Sequence, residues 1–371
     1  MNIYDSKQWQ DDLSKVAATL PELSGLAGKT VLVTGASGLV CSALIDLLIF
    51  HNEAQSGAAI QILAAGRNKE KIHRRFAPYD GKAYFAFVAY DANQDDDLSD
   101  VSCDYIIHGA SNASPGAIMK EPVETMTANI SGLKHFLDHA RQCEAKRVLY
   151  ISSSEVYGNS GKNAPCQEAD YGYMDLLNPR NSYSVSKSAA ETLCASYAAE
   201  YGVDTVIARP GHIYGPTASP EDNRVSSAWA YAAARGEDIV MKSDGSQLRS
   251  YCYCLDCASA ILTVMLKGKN GDAYNISNPD SVITIHDMAG LLAGAGGVKL
   301  IRETANEQEK RGFNPMKNSS LDAAKLHGLG WKGCFSAKEG FSHTVAILRE
   351  RIGAKSSYVG GIETTGLRRE S

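Results

Sequence analysis

A short β-branched run, Thr30–Thr34 (TVLVT), leads straight into Gly35-Ala-Ser-Gly38-Leu-Val-Cys41 and then into an apolar stretch, Ser42–Phe50. No other stretch limits the fold so strongly. A continuously hydrophobic strand of this length belongs to a parallel sheet buried on both faces. Gly35 permits a tight turn, and Gly38 lets main-chain N–H groups come close to a bound group. The helix that follows points its free N–H groups and its dipole at an anion. Strand, glycine turn and helix in this order make a dinucleotide-binding unit. Cys41 stands where a third glycine normally lets helix and strand approach, and its small thiol predicts a slightly wider spacing.

Further strands read at Ile60–Ala64, Tyr84–Ala89, Tyr105–His108, Arg147–Ser152 and Thr205–Ala208. Helical stretches, from Asn129 to about Cys143 and from Lys187 to about Tyr201, separate the later ones. Repeated strand–helix units predict an α/β fold with a doubly wound parallel sheet. After the second strand comes Ala65-Gly66-Arg67-Asn68, without the acidic residue that holds the adenosine ribose in an NAD site. Arg67, with Lys69 or Lys71, could instead meet a 2′-phosphate, so the residues leave NAD and NADP both open. The expected organisation is a helical extension over 1–27, with a helix around Trp9–Leu20 ended by Pro21. A dinucleotide-binding domain over 28–210 follows, its sheet completed by about 248–267. A smaller α/β lobe spans 211–247 and 268–352, and a flexible tail 353–371.

Composition excludes several classes. With 44% hydrophobic and 21% charged residues and a mean hydropathy of −0.22, the chain reads as soluble and globular. A net charge of −5 advertises no surface for nucleic acid or anionic lipid. No run of 18 apolar residues occurs, and the start MNIYDSKQWQDD has neither a basic nor an apolar leader region, so neither membrane nor export is expected. Nine cysteines without framework spacing fit a reducing cytoplasm. Cys252, Cys254 and Cys257 lack a fourth ligand and paired spacing, so no metal is expected.

The chemistry concentrates in Ser152–Gly158 (SSSEVYG) and Tyr183–Lys187 (YSVSK). A tyrosine and a lysine four residues apart lie on one helix face. The ammonium is expected to lower the phenol's pKa, and Ser153 could hydrogen-bond the same substrate oxygen. Together they make a base that removes a proton from a sugar alcohol while a hydride leaves the carbon.

The Gly35–Gly38 turn, the Ser153/Tyr183/Lys187 set and the segment Arg209-Pro…Tyr-Gly215-Pro216 resemble extended short-chain dehydrogenases/reductases acting on nucleotide sugars, over roughly Lys29 to Leu348. That resemblance implies a Rossmann domain with a bound nicotinamide cofactor, a lobe gripping a nucleoside diphosphate sugar, and a homodimer. It implies cofactor contacts from Gly35, Ser37, Gly38, Leu39, Arg67, Ala110, Ser111, Asn129, Tyr183 and Lys187. Ser153, Glu155, Tyr183 and Lys187 form the implied catalytic set. Ser114, Ser154, His212, Arg224, Val225 and Arg249 are the implied substrate contacts.

Where a 4,6-dehydratase of this kind carries Asp-Glu after the serine, this chain has Ser154-Glu155, similar to UDP-glucuronate decarboxylases, which use NAD. His108–Pro115, Pro179-Arg180, Asn223–Val225 and Gln247–Ser250 are similar to decarboxylase segments as well, and His212 departs from an asparagine common among relatives. The resemblance therefore implies oxidation at C4 of a UDP-linked glucuronate followed by loss of CO₂. A 4-epimerase or 4,6-dehydratase is the alternative. A non-catalytic cofactor-binding sensor is a third, against which Tyr183 and Lys187 argue, because a sensor needs no activated base.

Overall fold

The computed structural model describes residues 2–94, 96–111, 113–304 and 316–359. Its first helix, α1 (Lys7–Ala17), is capped by Ser6, whose side chain accepts from the Trp9 N–H. The extension is not a loose lead-in. Trp9, Leu13 and Val16 are buried, as are Leu20, Leu23 and Leu26 after them, each stabilising the fold by roughly 1.5–3 kcal/mol. Asp12 is held inside by the Tyr253 phenol (2.9 Å) and by His343 (3.0 Å).

The chain then runs β1 (Thr30–Thr34), α2 (Leu39–Ala54), β2 (Gln61–Gly66), α3 (Lys69–Arg75), β3 (Phe85–Ala89) and β4 (Tyr105–His108). Two helices, α4 (Pro115–Lys120) and α5 (Pro122–Gln142), precede β5 (Arg147–Ile151), α6 (Ser182–Tyr201) and β6 (Thr205–Pro210). Next come β7 (His212–Tyr214), α7 (Val225–Arg235), β8 (Ile239–Met241), β9 (Leu248–Tyr253), α8 (Cys254–Lys267) and β10 (Ala273–Ile276). The last part holds β11 (Val282–Thr284), α9 (Ile285–Gly296), β12 (Leu300–Arg302), β13 (Asn318–Ser319) and a terminal helix, Ala337–Val359.

Seven strands form one parallel sheet in the order β10-β6-β5-β4-β1-β2-β3. This is the doubly wound architecture expected. From β1 the chain builds outward to β3 and then crosses back to β4 on the other flank of β1. The topological switch point therefore lies between β1 and β4, where Thr34 and His108 are in register. α5 and α6 close one face over Leu32, Ile106 and Val148; α2 and α8, with α1 behind them, close the other. No helix among the described residues is long and apolar enough to cross a membrane.

Three boundaries differ from the sequence reading. Asn129 does not begin a helix, because α5 already starts at Pro122; asparagine favours helix starts, but here a tertiary partner satisfies its amide in mid-helix. Residues 248–267 do not complete the parallel sheet. β9 pairs with β7, β11 and β13 in a separate sheet, α8 packs on the parallel one, and its seventh strand is β10. A buried strand pattern specifies a strand and not which sheet receives it. Finally, the terminal helix continues to Val359, past Gly353, and the rest of the expected tail lies outside the described residues.

Candidate active site

At the switch point the loops after β1 and β4 touch. Gly35 has φ +68°, and a Cβ on it would stand 2.8 Å from the Gly109 carbonyl oxygen, so only glycine fits the turn. Thr34 Oγ1 accepts from the N–H groups of Gly109 and Ala110, both at 3.0 Å, and lies 3.1 Å from His108 Nδ1. The Ala110 amide is thereby engaged by the protein itself. Gly38 is the N-cap of α2 and supplies no side-chain cap, so no side chain takes the helix's first N–H groups. Ser37 is half-buried beside it, and the carbonyl of buried Leu39 accepts from Thr217 Oγ1 (2.8 Å).

The missing third glycine is offset from the opposite side. Cys41 is 3% exposed, and a Cβ on Gly109 would run into its Sγ. The thiol occupies the space that a side chain at the end of β4 would need. Two buried polar atoms near this edge have no partner among the described residues: Ser111 Oγ on the loop after β4 and Asn129 Oδ1 on α5. With the open start of α2 they fit a dinucleotide with its pyrophosphate at the helix N-terminus. Arg67 is exposed at the end of β2.

β5 delivers Ser153 to the same edge. Its hydroxyl caps the short 3₁₀ turn Ser154–Tyr157, accepts from the Glu155 N–H (3.1 Å), and stands near enough to the Tyr183 phenol to lower its pKa. Lys187 Nζ donates to the Ile151 carbonyl (2.7 Å). It stands 5.7 Å from the centre of the Tyr183 ring and 4.6 Å from that of Tyr150. The expected lowering of the phenol by the ammonium is not what this geometry gives. Burial pushes the Tyr183 phenol up to about 12, helped by the charge of Glu155 and opposed by Ser153 and Arg224. Burial also brings the Lys187 ammonium down to about 7. Desolvation is the largest contribution for both groups.

Glu155 accepts from Ser184 Oγ (3.0 Å) and lies 3.7 Å from Arg180 Nη1, with Ser154 half-buried next to it. Across the site, Arg249 is 3% exposed and, among the described residues, donates only to main-chain carbonyls, those of Leu248 (2.9 Å) and Met316 (3.0 Å). Among the described residues no carboxylate pairs with it. His212 has a buried Nδ1 without a partner among the described residues, and burial with the charges of Arg249 and Arg224 drives it down to about 3, so the ring is neutral. Arg224 is forked onto Asp222 (Nε–Oδ1 2.9 Å) and acts electrostatically on both His212 and Tyr183. Arg249 and Arg224 thus lie near His212, and Arg224 also near Tyr183. Ser114 sits just before α4, where a Cβ on Gly116 would meet the Asn223 amide at 2.8 Å, so this loop abuts the one carrying Arg224. Val225 lies exposed at the start of α7.

The sequence reading stopped one turn too early on α6. Glu191 accepts from Ser152 Oγ (2.5 Å) and from Arg209 Nε (2.9 Å) and Nη2 (2.6 Å). Arg209 Nη1 also reaches the Tyr157 phenol (3.0 Å), which donates to Asn275 Oδ1 (2.5 Å). Glu191 raises the pKa of Lys187 against the effect of burial. The signal was available: Tyr183, Lys187 and Glu191 recur at intervals of four along one helix face.

The family model described as "NAD dependent epimerase/dehydratase family" matches residues 31–277. Among curated proteins the chain is similar to "UDP-glucuronic acid decarboxylase 1" of Xenopus tropicalis, 28% identical over 87% of this chain and 73% of that one. It is similar to "dTDP-D-glucose 4,6-dehydratase" of Homo sapiens at 26%, over 91% of this chain and 95% of that one. Its fold resembles the UDP-glucuronic acid 4-epimerase from Bacillus cereus solved with UDP-glucuronic acid and NAD. The TM-score is 0.74 and the identity 21%, over 87% of this chain and 99% of that one.

Proposed function

The chain belongs to the NAD-dependent epimerase/dehydratase family, and from that premise we propose that it is a decarboxylase of the UDP-glucuronate to UDP-xylose type. One pairing carries the reading: Ser154-Glu155 behind Ser153, with the buried guanidinium of Arg249 lacking a carboxylate partner among the described residues.

The start of α2 with Ser111 and Asn129 would hold NAD, which would supply the hydride acceptor for C4 and return the hydride there after CO₂ has left; the C4 ketone formed in between is β to the C6 carboxylate and makes that loss easy. Tyr183 removes the proton of the C4 hydroxyl, with Ser153 hydrogen-bonding the same oxygen. Lys187, anchored on the Ile151 carbonyl, contributes positive charge to that face and is steadied by Glu191. Arg249 receives the diphosphate or the glucuronate carboxylate, for which a planar guanidinium is suited. His212 is neutral and offers a hydrogen bond there without adding charge. Glu155, oriented by Ser184, manages the proton added at C5. A 4,6-dehydratase needs an acid for the departing 6-hydroxyl, and Ser154 does not supply one. The reading includes a homodimer and a cytoplasmic location.

The test is incubation with UDP-glucuronate and NAD, following CO₂ and product mass. The expected product is lighter by CO₂, and Tyr183→Phe abolishes it while NAD still binds. A product isomeric with the substrate makes the protein an epimerase. Loss of water from a nucleotide hexose makes it a dehydratase. No turnover of any of these with NAD bound refutes the reading.

A further inference from the structure

At the edge of the parallel sheet opposite the candidate active site, two thiols and an imidazole meet. Cys103 lies two residues before β4, while His139 and Cys143 occupy the last turn and the C-cap of α5. The spacing of four puts His139 and Cys143 on one face of the helix. Cys103 Sγ and Cys143 Sγ are 3.9 Å apart, and a ring nitrogen of His139 lies within 4.8 Å of both sulfurs. Among the described residues this is the one such group of three His, Cys, Asp or Glu side chains; Cys252, Cys254 and Cys257 do not form one.

Three features set this group apart from ordinary buried cysteines. His139 is 3% exposed, yet its Nε2 has no hydrogen-bond partner among the described residues. The main chain of Val101 stands beside the same ring, and a neighbour of this kind can orient a metal-binding imidazole. Moreover, two sulfurs bound to one tetrahedral zinc at roughly 2.3 Å each stand roughly 3.8 Å apart. The observed separation is that edge, far from the roughly 2.05 Å of a disulfide.

We propose that Cys103, His139 and Cys143 bind one zinc ion, with a fourth position left to water on the half-buried Cys143 side. Thiolate and imidazole donors suit this d¹⁰ cation. Zinc takes cysteine as thiolate, so thiol protons pass to solvent as the Zn–S bonds form. The ion clips the β3–β4 connection to the end of α5. It touches no residue of the candidate active site.

The full chain, reduced and stripped of metal, is titrated with zinc alone against a chromophoric chelator at neutral pH. Expected are one zinc per chain, proton release in calorimetry across two buffers, and a rise in unfolding temperature. Cys143→Ser and, independently, His139→Gln each weaken binding by at least about 10–100-fold, the loss seen even for partners outside the ligand sphere. Cys334→Ser, at a half-buried cysteine elsewhere, leaves it unchanged. Reduced, folded protein that takes up no zinc overturns the proposal. So does zinc held equally by Cys143→Ser, or a Cys103–Cys143 disulfide whose reduced form binds no metal.

Discussion

Gly109→Ala adds one methyl group at the end of β4, and the structure determines what that methyl meets. Its Cβ would overlap Cys41 Sγ and stand 3.1 Å from Ile151 Cδ1 and 3.3 Å from the Thr34 carbonyl oxygen. One neighbour is main chain, and another is a thiol that is 3% exposed inside α2. A helix leaves that thiol few rotamers, because the one pointing into the preceding turn is disfavoured. Either α2 moves off the sheet or the thiol turns into another packed wall. Forcing an extra methyl into a close-packed interior costs about 1–3 kcal/mol. With a main-chain contact involved, Gly109→Ala is expected near the top of that range. Cys41→Gly alone costs only about 0.3 kcal/mol in helix propensity, because cysteine is itself a poor helix former, plus the lost burial of the thiol. In the double variant the new methyl occupies the vacated space, so the two losses should fall short of additivity by about 1–2 kcal/mol. Urea unfolding of the four proteins measures the cycle, and NAD affinity should follow the same order, since this contact shapes the dinucleotide turn. Losses additive within about 0.5 kcal/mol would show that thiol and glycine do not share this space, and the account of the missing third glycine would be wrong.

Two further perturbations test the interior behind Tyr183 and Lys187. Glu191→Gln leaves Arg209, whose side chain is 4% exposed, without its charge partner; the unfolding free energy should fall by about 3 kcal/mol. Lys187 should then titrate below about 7, because the carboxylate that raises it is gone; an unchanged urea midpoint would contradict this. Lys187 also makes stability depend on pH. Its folded value of about 7 lies below the ordinary 10.5, so between these pH values the unfolded chain holds a proton that the folded chain has released. Stability therefore rises with pH across that window. Lys187→Met should remove the rise, and an identical slope in both proteins would argue against a depressed lysine.

The amino-acid sequence alone determined what is local. The strand–turn–helix at Thr30–Phe50, the strands Tyr105–His108 and Arg147–Ile151, and the pairing of Tyr183 with Lys187 on one helix face are all legible, because glycine's φ freedom and the periods of helix and strand act within a few residues. The parallel sheet follows from repeating those units. Other features depended on partners that only the fold brings together. Asn129 reads as a helix start until Ser186 is seen to hold its amide, and 248–253 reads as a strand without saying which sheet receives it. Cys41 looks like a defect until Gly109 appears opposite it. The phenol of Tyr183 was expected to titrate low and instead is pushed up to about 12, since the number of atoms excluding water from a side chain is set by the whole interior and not by the residue four positions away.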